Sequence, residues 1–349
     1  MVLIILLWGL NTILSWGPLK YYKCYISAPD YKIEIKEPSL FKIEKGETLE
    51  GIVQLARTNL KLSEPQTTDL MCLIRKNNDY KDFKAGIFYF KEGEYTLNQI
   101  INRLKNPNPP TIKVTIPEGL RYDEIASTIA TKVKGILPNF DKTLYIQYAA
   151  DPKSLPFYKT YPFLQDVKTL EGFLYPATYS FEYLDTTENI IQKQLNAYNK
   201  YIYTIIQEAR LKNNEITKKL NDYEILILAS IIERETTNDF TERRMVADIL
   251  LRRLFAKRPL EVDATLLYPK KNWSAPITPK DKQSSSLYNT YRYQGLPPTP
   301  ISNPGQSAVK AVLNPLPNQY WYYLHGKDGK IRYAKTYLQH LNNIKLYLR

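Results

Sequence analysis

Two glutamates at the end of a long apolar segment are the side chains best suited to acid–base chemistry. Glu233 and Glu235 follow eight consecutive uncharged residues, 225–232. A carboxyl group held against apolar side chains has a raised pKa, because burial disfavours its charged form. Such a group can protonate a leaving group at neutral pH, as the cleavage of a glycosidic bond requires.

An apolar helix is predicted to position these carboxyl groups. Asn221 followed by Glu224 fits a capping box, which defines where the helix begins. Residues two apart on a helix point about 200° apart, so the two glutamates cannot face one cleft. Glu233 shares its face with Ala229 and Ser230, whose small side chains leave room for a ligand.

A purely structural role is the alternative for both glutamates. They end a buried helix, and Arg234, Arg243 and Arg244 follow within reach of an ion pair. Spacing alone favours this alternative over catalysis. Further motifs are needed to decide between the two interpretations.

The elements around this helix follow a repeated pattern. A strand, a glycine turn and a capped helix occur in residues 41–56, 90–104 and 116–130. The predicted N-caps are Thr48, Thr96 and Asp123. This pattern favours small βα modules over one large sheet. The proline-rich residues 106–110 mark a domain boundary. Further predicted elements are a strand at 31–37, helices at 186–211 and 242–257, and a hairpin at 320–334.

The composition indicates a globular protein with an acidic partner. The chain has 349 residues, of which 44% are apolar, and a net charge of +13. Such a charge suits nucleic acid, anionic lipid or a polymer that bears carboxylates. Nucleic acid is disfavoured because Lys and Arg form no run longer than a doublet. The 29 tyrosines suit sugar-binding grooves as well as core edges.

The metal-binding residue types are scarce in this chain. There are two histidines and two cysteines, and they do not form the pattern of a zinc site. We therefore predict neither a metal nor another cofactor. Cys24 and Cys72 lie in unrelated segments, which disfavours a disulfide between them.

The N-terminal segment differs from the rest of the chain. Residues 2–18 carry no charge, and a helix of this length is near the lower limit for crossing a bilayer. No small-residue cleavage site follows, which weighs against a cleaved signal peptide. The segment is predicted to be a membrane anchor, although the flanking charges do not fix its orientation.

Five segments in this chain carry a resemblance to a known family. They are LEGFLYPATYSF (170–181), ILASIIERET (227–236), LEVDATLLY (260–268), residues 284–315 with the sequence YNTY, and YAKTYLQHLN (333–342). In this order they resemble the MltG-type (YceG-like) endolytic murein transglycosylases, over nearly the whole chain. The segments KGETLEGIV and EGEYTLNQII look like the LysM-like module of that family.

The resemblance implies an α+β fold, with a transmembrane helix, a small LysM-like βα module and a mixed catalytic domain with helices and β-hairpins. The implied boundaries are 1–18 for the anchor, 19–38 for a tether and first strand, 39–110 for the LysM-like module and 111–349 for the catalytic domain. The catalytic body lies on the outer, periplasmic side of the inner membrane, attached by a single span. The implied partners are peptidoglycan glycan strands, the membrane and peptidoglycan synthases.

The implied activity is cleavage of the MurNAc–GlcNAc β-1,4 bond in nascent strands, which leaves 1,6-anhydro-MurNAc ends. The cleavage terminates strand elongation and needs no metal. The alternative is a non-catalytic LysM-type peptidoglycan-binding protein. The family's catalytic glutamate falls on Glu233. The candidate substrate-binding residues are Asp263, Thr265, Tyr288, Asn289, Tyr291 and Glu171. Turn formation is the alternative for Asn289, and a structural role is the alternative for Glu171.

Overall fold

The computed structural model describes residues 31–134 and 136–348 of this chain. The chain divides into two compact units, and the division falls after Thr111. The predicted anchor at 1–18 lies outside the described residues. Among the helices of the described part, none combines the length and the apolar character that a bilayer span needs.

The first unit is built from short strands and helices whose starts are capped. Its elements are β1 (Lys32–Ile35), β2 (Ser39–Ile43), α1 (Leu49–Leu60), α2 (Glu64–Asn77), β3 (Gly86–Phe90), β4 (Gly93–Thr96) and α3 (Leu97–Leu104). Strand β1 pairs antiparallel with β4, and β2 pairs antiparallel with β3. Thr48 and Thr96 cap α1 and α3 through their side chains, so both predicted N-caps are confirmed.

The second unit is mainly helical. Its strands are β5 (Thr111–Thr115), β6 (Thr178–Glu182), β7 (Tyr322–His325) and β8 (Ile331–Ala334). Its helices are α4 (Tyr122–Val133), α5 (Lys142–Ala150), α6 (Thr187–Tyr198), α7 (Thr204–Leu211), α8 (Asp222–Glu235), α9 (Phe240–Phe255), α10 (Asp263–Leu267), α11 (Pro279–Lys282), α12 (Gln306–Leu313) and α13 (Tyr337–Tyr347). The strands of the described part form two-stranded sheets, including β5–β6 and the β7–β8 hairpin. The fold is therefore α+β without a large sheet in the described residues.

Helix α8 is the centre of the second unit. Every residue from Ile225 to Ile232 is buried, as expected for a helix that is apolar on all sides. Helices α9, α10 and α12 pack around it. Asn221 and Glu224 form the predicted capping box at its start. The helix therefore holds its C-terminal glutamates inside the unit.

Two predicted helices differ from the sequence-based expectation. The helix predicted at 186–211 is interrupted by a π-helical turn, Asn199–Tyr203, between α6 and α7. The N-cap of α4 is at position 121 and not at Asp123. Tyr198, Ile202 and Ile206 are all buried at a regular spacing of four residues, so the apolar pattern does not reveal the π turn.

A disulfide is a further difference from the expectation. Cys72 is disulfide-bonded, although the separation of the cysteines in the sequence disfavoured this. The other cysteine, Cys24, lies outside the described residues. The prediction against a disulfide is therefore wrong at Cys72.

Candidate active site

Glu233 lies in the last turn of α8, and its carboxyl group has two buried partners. Its side chain is 4% exposed, and that of Arg243 is 3% exposed. Arg243 Nη2 donates to Glu233 Oε1 at 2.6 Å. The backbone N–H of Gly305 donates to Glu233 Oε2 at 2.9 Å. The structural alternative for Glu233 predicted an ion pair with an arginine, and this ion pair is present.

Opposing influences act on the pKa of Glu233. Burial raises this pKa above the usual glutamate value and is the largest influence. The charge of Arg243 and the N–H of Gly305 lower the pKa, and the charge of Glu118 raises it again. The net direction is upward, so the proton is held more firmly than on an exposed glutamate. The ionised form of Glu233 also has hydrogen-bond donors, which a group needs if it acts first as an acid and then as a base.

The glycine at position 305 lets a second carboxylate approach. A Cβ atom at Gly305 would lie 2.8 Å from Glu118 Cγ and 3.5 Å from Glu233 Oε2. Glu118 is exposed, and the sequence did not identify it as a site residue. Glu118 and Gly119 lie in the strand–turn–helix segment 116–130, and this repeated pattern explained them as part of a turn. The two carboxylates and Gly305 form the centre of the site.

Asn303 holds the segment of Glu118 against the segment of Gly305. It is fully buried, and its Nδ2 donates to Leu120 O at 2.9 Å and to Glu171 Oε1 at 2.8 Å. Its Oδ1 accepts from Leu174 N at 2.8 Å. The N–H of Gly119 donates to Asn303 O at 2.9 Å. Asn303 is thus a positioning residue that the sequence did not single out.

The small residues one turn before Glu233 serve packing and not ligand access. Ala229 and Ser230 are fully buried. Ser230 Oγ accepts from Ile301 N at 3.0 Å, and Ser302 Oγ donates to Ser230 O at 3.1 Å. The expectation that they leave room for a ligand is therefore wrong. They let residues 301–302 pack directly on α8.

Glu171 lies in the interior and not in a groove. It is fully buried, and it accepts hydrogen bonds from Tyr122 N at 3.1 Å, Tyr268 Oη at 3.0 Å and Asn303 Nδ2. Burial raises the pKa of Glu171 to about 8. The carboxyl group satisfies the first free N–H of α4, since position 121 supplies no side-chain oxygen. These contacts match the structural alternative for Glu171, and its role in substrate binding stays a prediction.

Two predicted substrate-binding residues lie beside Glu235 on another face of α8. Tyr291 Oη donates to Asp263 Oδ1 at 2.6 Å. Tyr323 Oη donates to Glu235 Oε2 at 3.0 Å, and Ala264 N donates to Oε1 at 3.4 Å. Burial raises the pKa of Glu235, and the charge of Asp263 raises it further. The two glutamates have separate surroundings, as their spacing predicted.

Asn289 uses both ends of its amide inside its own loop. It is fully buried, and its Nδ2 donates to Ser284 O at 2.8 Å and to Lys282 O at 3.0 Å. Its Oδ1 accepts from Tyr291 N at 3.1 Å. This geometry matches the turn-forming alternative, and a role in substrate binding at Asn289 is not supported.

The remaining candidates are also engaged with protein groups. Thr265 is fully buried, and its hydroxyl donates to Val262 O at 2.7 Å. Tyr288 is half-buried, and its hydroxyl lies 2.7 Å from that of Thr299. Both support the loop that carries Asn289. Thr265 is closed off from solvent, whereas Tyr288 keeps part of its ring exposed.

Access to Glu233 is narrow in this structure. Two cavities of the described part, of about 500 Å³ and 810 Å³, are lined by residues other than Glu233, and the side chain of Glu233 is only 4% exposed. Around the carboxyl group, Glu118 and Asn238 are exposed, and Asn238 Oδ1 accepts from Arg243 Nη2 at 3.0 Å. These exposed neighbours mark one side from which a polymer can approach Glu233.

Comparisons with known proteins point to one family. The YceG-like family model matches residues 41–346. The endolytic murein transglycosylase of Bacillus subtilis (strain 168) is 31% identical over 317 residues, and the match covers 84% of this chain and 86% of that protein. The endolytic murein transglycosylase of Streptococcus pneumoniae serotype 2 (strain D39) is 26% identical, and the match covers 77% of this chain and 51% of that protein. A crystal structure of a yceG-like protein from Listeria monocytogenes is similar with a TM-score of 0.56 and 30% identity, over 88% of this chain and 99% of that one.

Proposed function

Because this chain belongs to the YceG-like family, we propose that it is an endolytic murein transglycosylase. It cleaves the MurNAc–GlcNAc β-1,4 bond within nascent glycan strands and leaves 1,6-anhydro-MurNAc ends, which terminates strand elongation. The observation that carries the proposal is the carboxyl group of Glu233, which is buried, has a raised pKa and is held between Arg243 and Gly305.

In the proposed reaction Glu233 acts first as the general acid. The protonated carboxyl gives its proton to the bridging oxygen as the bond from C1 of MurNAc to that oxygen breaks. Positive charge develops at C1, and the N-acetyl group of the substrate stabilises it. Asn289 is assigned no part in this step, because both ends of its amide bond to its own loop.

Glu233 then acts as the general base. Its carboxylate takes the proton from the MurNAc 6-hydroxyl while that oxygen forms a bond to C1, so no water is consumed. The charge of Arg243 and the N–H of Gly305 stabilise the carboxylate between the two steps. A single acid thus completes the cycle without a second carboxylate as nucleophile and without a metal.

Sacculi provide a direct test of this function. We expect the purified full chain to release products with 1,6-anhydro-MurNAc ends from isolated sacculi, measured by mass spectrometry after muramidase digestion. Retention of the protein on sacculi without any anhydro product would instead support the non-catalytic LysM-type binder. The strand–helix–helix–strand order of β2, α1, α2 and β3 supports a LysM-like module in either case.

We also propose that residues 1–18 anchor the chain in the cytoplasmic membrane, with the catalytic unit outside. The disulfide at Cys72 supports this side, because disulfides persist in oxidising compartments. Peptidoglycan synthases are the partners expected there. Protease added to intact spheroplasts should digest the catalytic unit, and full protection would contradict the orientation.

The charge of Glu118 is expected to contribute to the alkaline limit of activity. The rate should fall as Glu233 loses its proton, and Glu118 raises the pKa of Glu233. Replacing Glu118 with glutamine removes that charge, so the pKa falls and the alkaline limb of the pH–rate profile moves to lower pH. The rate on the alkaline side should fall by a few-fold.

The pH profile separates this effect from general damage to the site. Glu118→Asp keeps the charge and should keep the alkaline limb near its original position. Glu92→Gln, an exposed charge change in the first unit, should leave the limb unchanged. An alkaline limb that stays in place in Glu118→Gln would contradict the assigned electrostatic role.

A further inference from the structure

Two tyrosines form an exposed stacked pair in the catalytic unit. The rings of Tyr175 and Tyr201 have centroids 5.2 Å apart and planes inclined by 24°. Tyr201 is 37% exposed, and Tyr175 is half-buried. Tyr175 supports the Tyr201 ring, and the exposed Lys200 places its ammonium group 5.0 Å from the centroid of the same ring. Neither tyrosine was among the predicted substrate-binding residues.

The backbone of Tyr201 explains how its ring is presented to solvent. Tyr201 lies in the π-helical turn Asn199–Tyr203. Its neighbours Tyr198 and Ile202 are buried at 1% and 0% exposure, which fixes the turn against the core. A π turn adds one residue to a helix and redirects the side chains within it, and such turns are frequent at functional sites.

The tyrosine pair is connected to the segment that holds Glu233. Gln306 Nε2 donates to the backbone oxygen of Tyr201 at 3.3 Å. Gln306 directly follows Gly305, whose N–H donates to Glu233. The backbone of Tyr201 is therefore linked to the side chain of Gln306, the residue that directly follows Gly305.

Glu118 provides a second connection from the other tyrosine. The N–H of Ile116 donates to Ala177 O at 3.0 Å, which holds the segments of Glu118 and Tyr175 side by side. Burial raises the pKa of Tyr175, and the charge of Glu118 raises it further. Glu118 in turn lies beside Gly305. The hydrogen bonds of Gln306 and Ile116 thus place the pair beside the segments that carry Gly305 and Glu118.

We propose that Tyr175 and Tyr201 form a platform on which one pyranose ring of the glycan strand stacks, beside the bond that is cut. One face of a pyranose ring presents mainly C–H groups, which suit the face of an aromatic ring. The tyrosine hydroxyls lie at the rim, where the hydroxyls of the sugar are. The inference rests on the proposed function and adds a binding subsite to it.

The test compares the kinetics of variants on uncross-linked glycan strands that carry stem peptides. Tyr201→Ala should raise KM by about tenfold, the size of one aromatic contact, and change kcat by less than about twofold, since Tyr201 does not reach the reacting atoms. Tyr201→Phe and Tyr201→Trp keep an aromatic face and should stay near the wild-type KM. Tyr337→Ala, at a 59% exposed tyrosine on α13, is the matched control and should leave KM unchanged.

The outcomes separate this subsite from the proposed function. If wild type is active and Tyr201→Ala has the wild-type KM, the platform is rejected and the transglycosylase function stands. A wild type that makes no anhydro ends overturns the function. In that case the platform is tested by how strongly the immobilised full chain retains the same strands. Equal retention by wild type and Tyr201→Ala rejects the platform.

Discussion

Replacing Glu233 with glutamine is expected to lower the rate of anhydro-end formation by a factor of about 1,000 or more. Glutamine keeps the shape of the side chain and can still accept from the N–H of Gly305, but it cannot donate a proton to the bridging oxygen. In the proposed cycle the same group serves as acid and then as base, so one substitution removes both steps. The measurement is the release of 1,6-anhydro-MurNAc ends from sacculi.

The ion pair with Arg243 requires a control for folding. Glu233→Gln leaves a buried guanidinium without its charged partner, which lowers stability. Thermal unfolding and binding to sacculi should therefore be measured on the same sample, and both should show a folded protein. A folded variant with wild-type activity would reject the single-acid mechanism.

Glu235→Gln is the matched variant on the other face of α8. Glu235 is also buried with a raised pKa, but its partner is Tyr323 and its neighbour is Asp263. We expect this variant to keep measurable transglycosylase activity while its stability falls. If the variant at 235 is inactive and the variant at 233 is active, the catalytic group belongs on the face that carries Asp263 and Tyr291.

Replacing Glu171 with alanine is expected to lower the free energy of unfolding by about 3–5 kcal/mol. The substitution leaves three donors without their shared acceptor, namely Tyr122 N, Tyr268 Oη and Asn303 Nδ2. It also opens a cavity at a fully buried position. Because Asn303 positions the segment of Gly305, activity should fall together with stability. Urea unfolding measures the change, and a loss below about 1 kcal/mol would contradict the assigned role.

Glu171→Gln separates the charge of Glu171 from its hydrogen bonds. The pKa of Glu171 is about 8 in the folded chain, against a usual value of 4.5. Between these values the folded state keeps a proton that the unfolded state has lost, so wild-type stability falls as pH rises, by about 1.4 kcal/mol per pH unit. Below pH 4.5 the contribution is fully present, and above pH 8 it is lost.

Glutamine at this position cannot ionise, so the variant should lack this part of the pH dependence. Its stability relative to wild type should therefore increase from pH 5 to pH 9. Unfolding in urea at several pH values measures the trend. A constant difference between the two proteins would show that Glu171 is ionised throughout in the folded chain.

Local patterns in the sequence determined the elements of this protein. The capping box at Asn221, the side-chain caps at Thr48 and Thr96 and the apolar run of α8 each depend on residues three or four positions apart. The spacing of Glu233 and Glu235 also determined that they face different surroundings. Such interactions are decided within one helix, so the sequence alone suffices.

Only the tertiary structure decided how the site is assembled. Three arginines were within reach of Glu233, and the packing of α9 selected Arg243. Glu171 points inward because one of its hydrogen-bond donors, Asn303, lies far away in the sequence. Asn289 points inward because its loop folds so that Ser284 O accepts from its amide. Glu118 approaches Glu233 because a glycine at position 305 leaves space between them. A hydrogen bond or charge interaction depends on distance in space, and only the packed chain determines that distance.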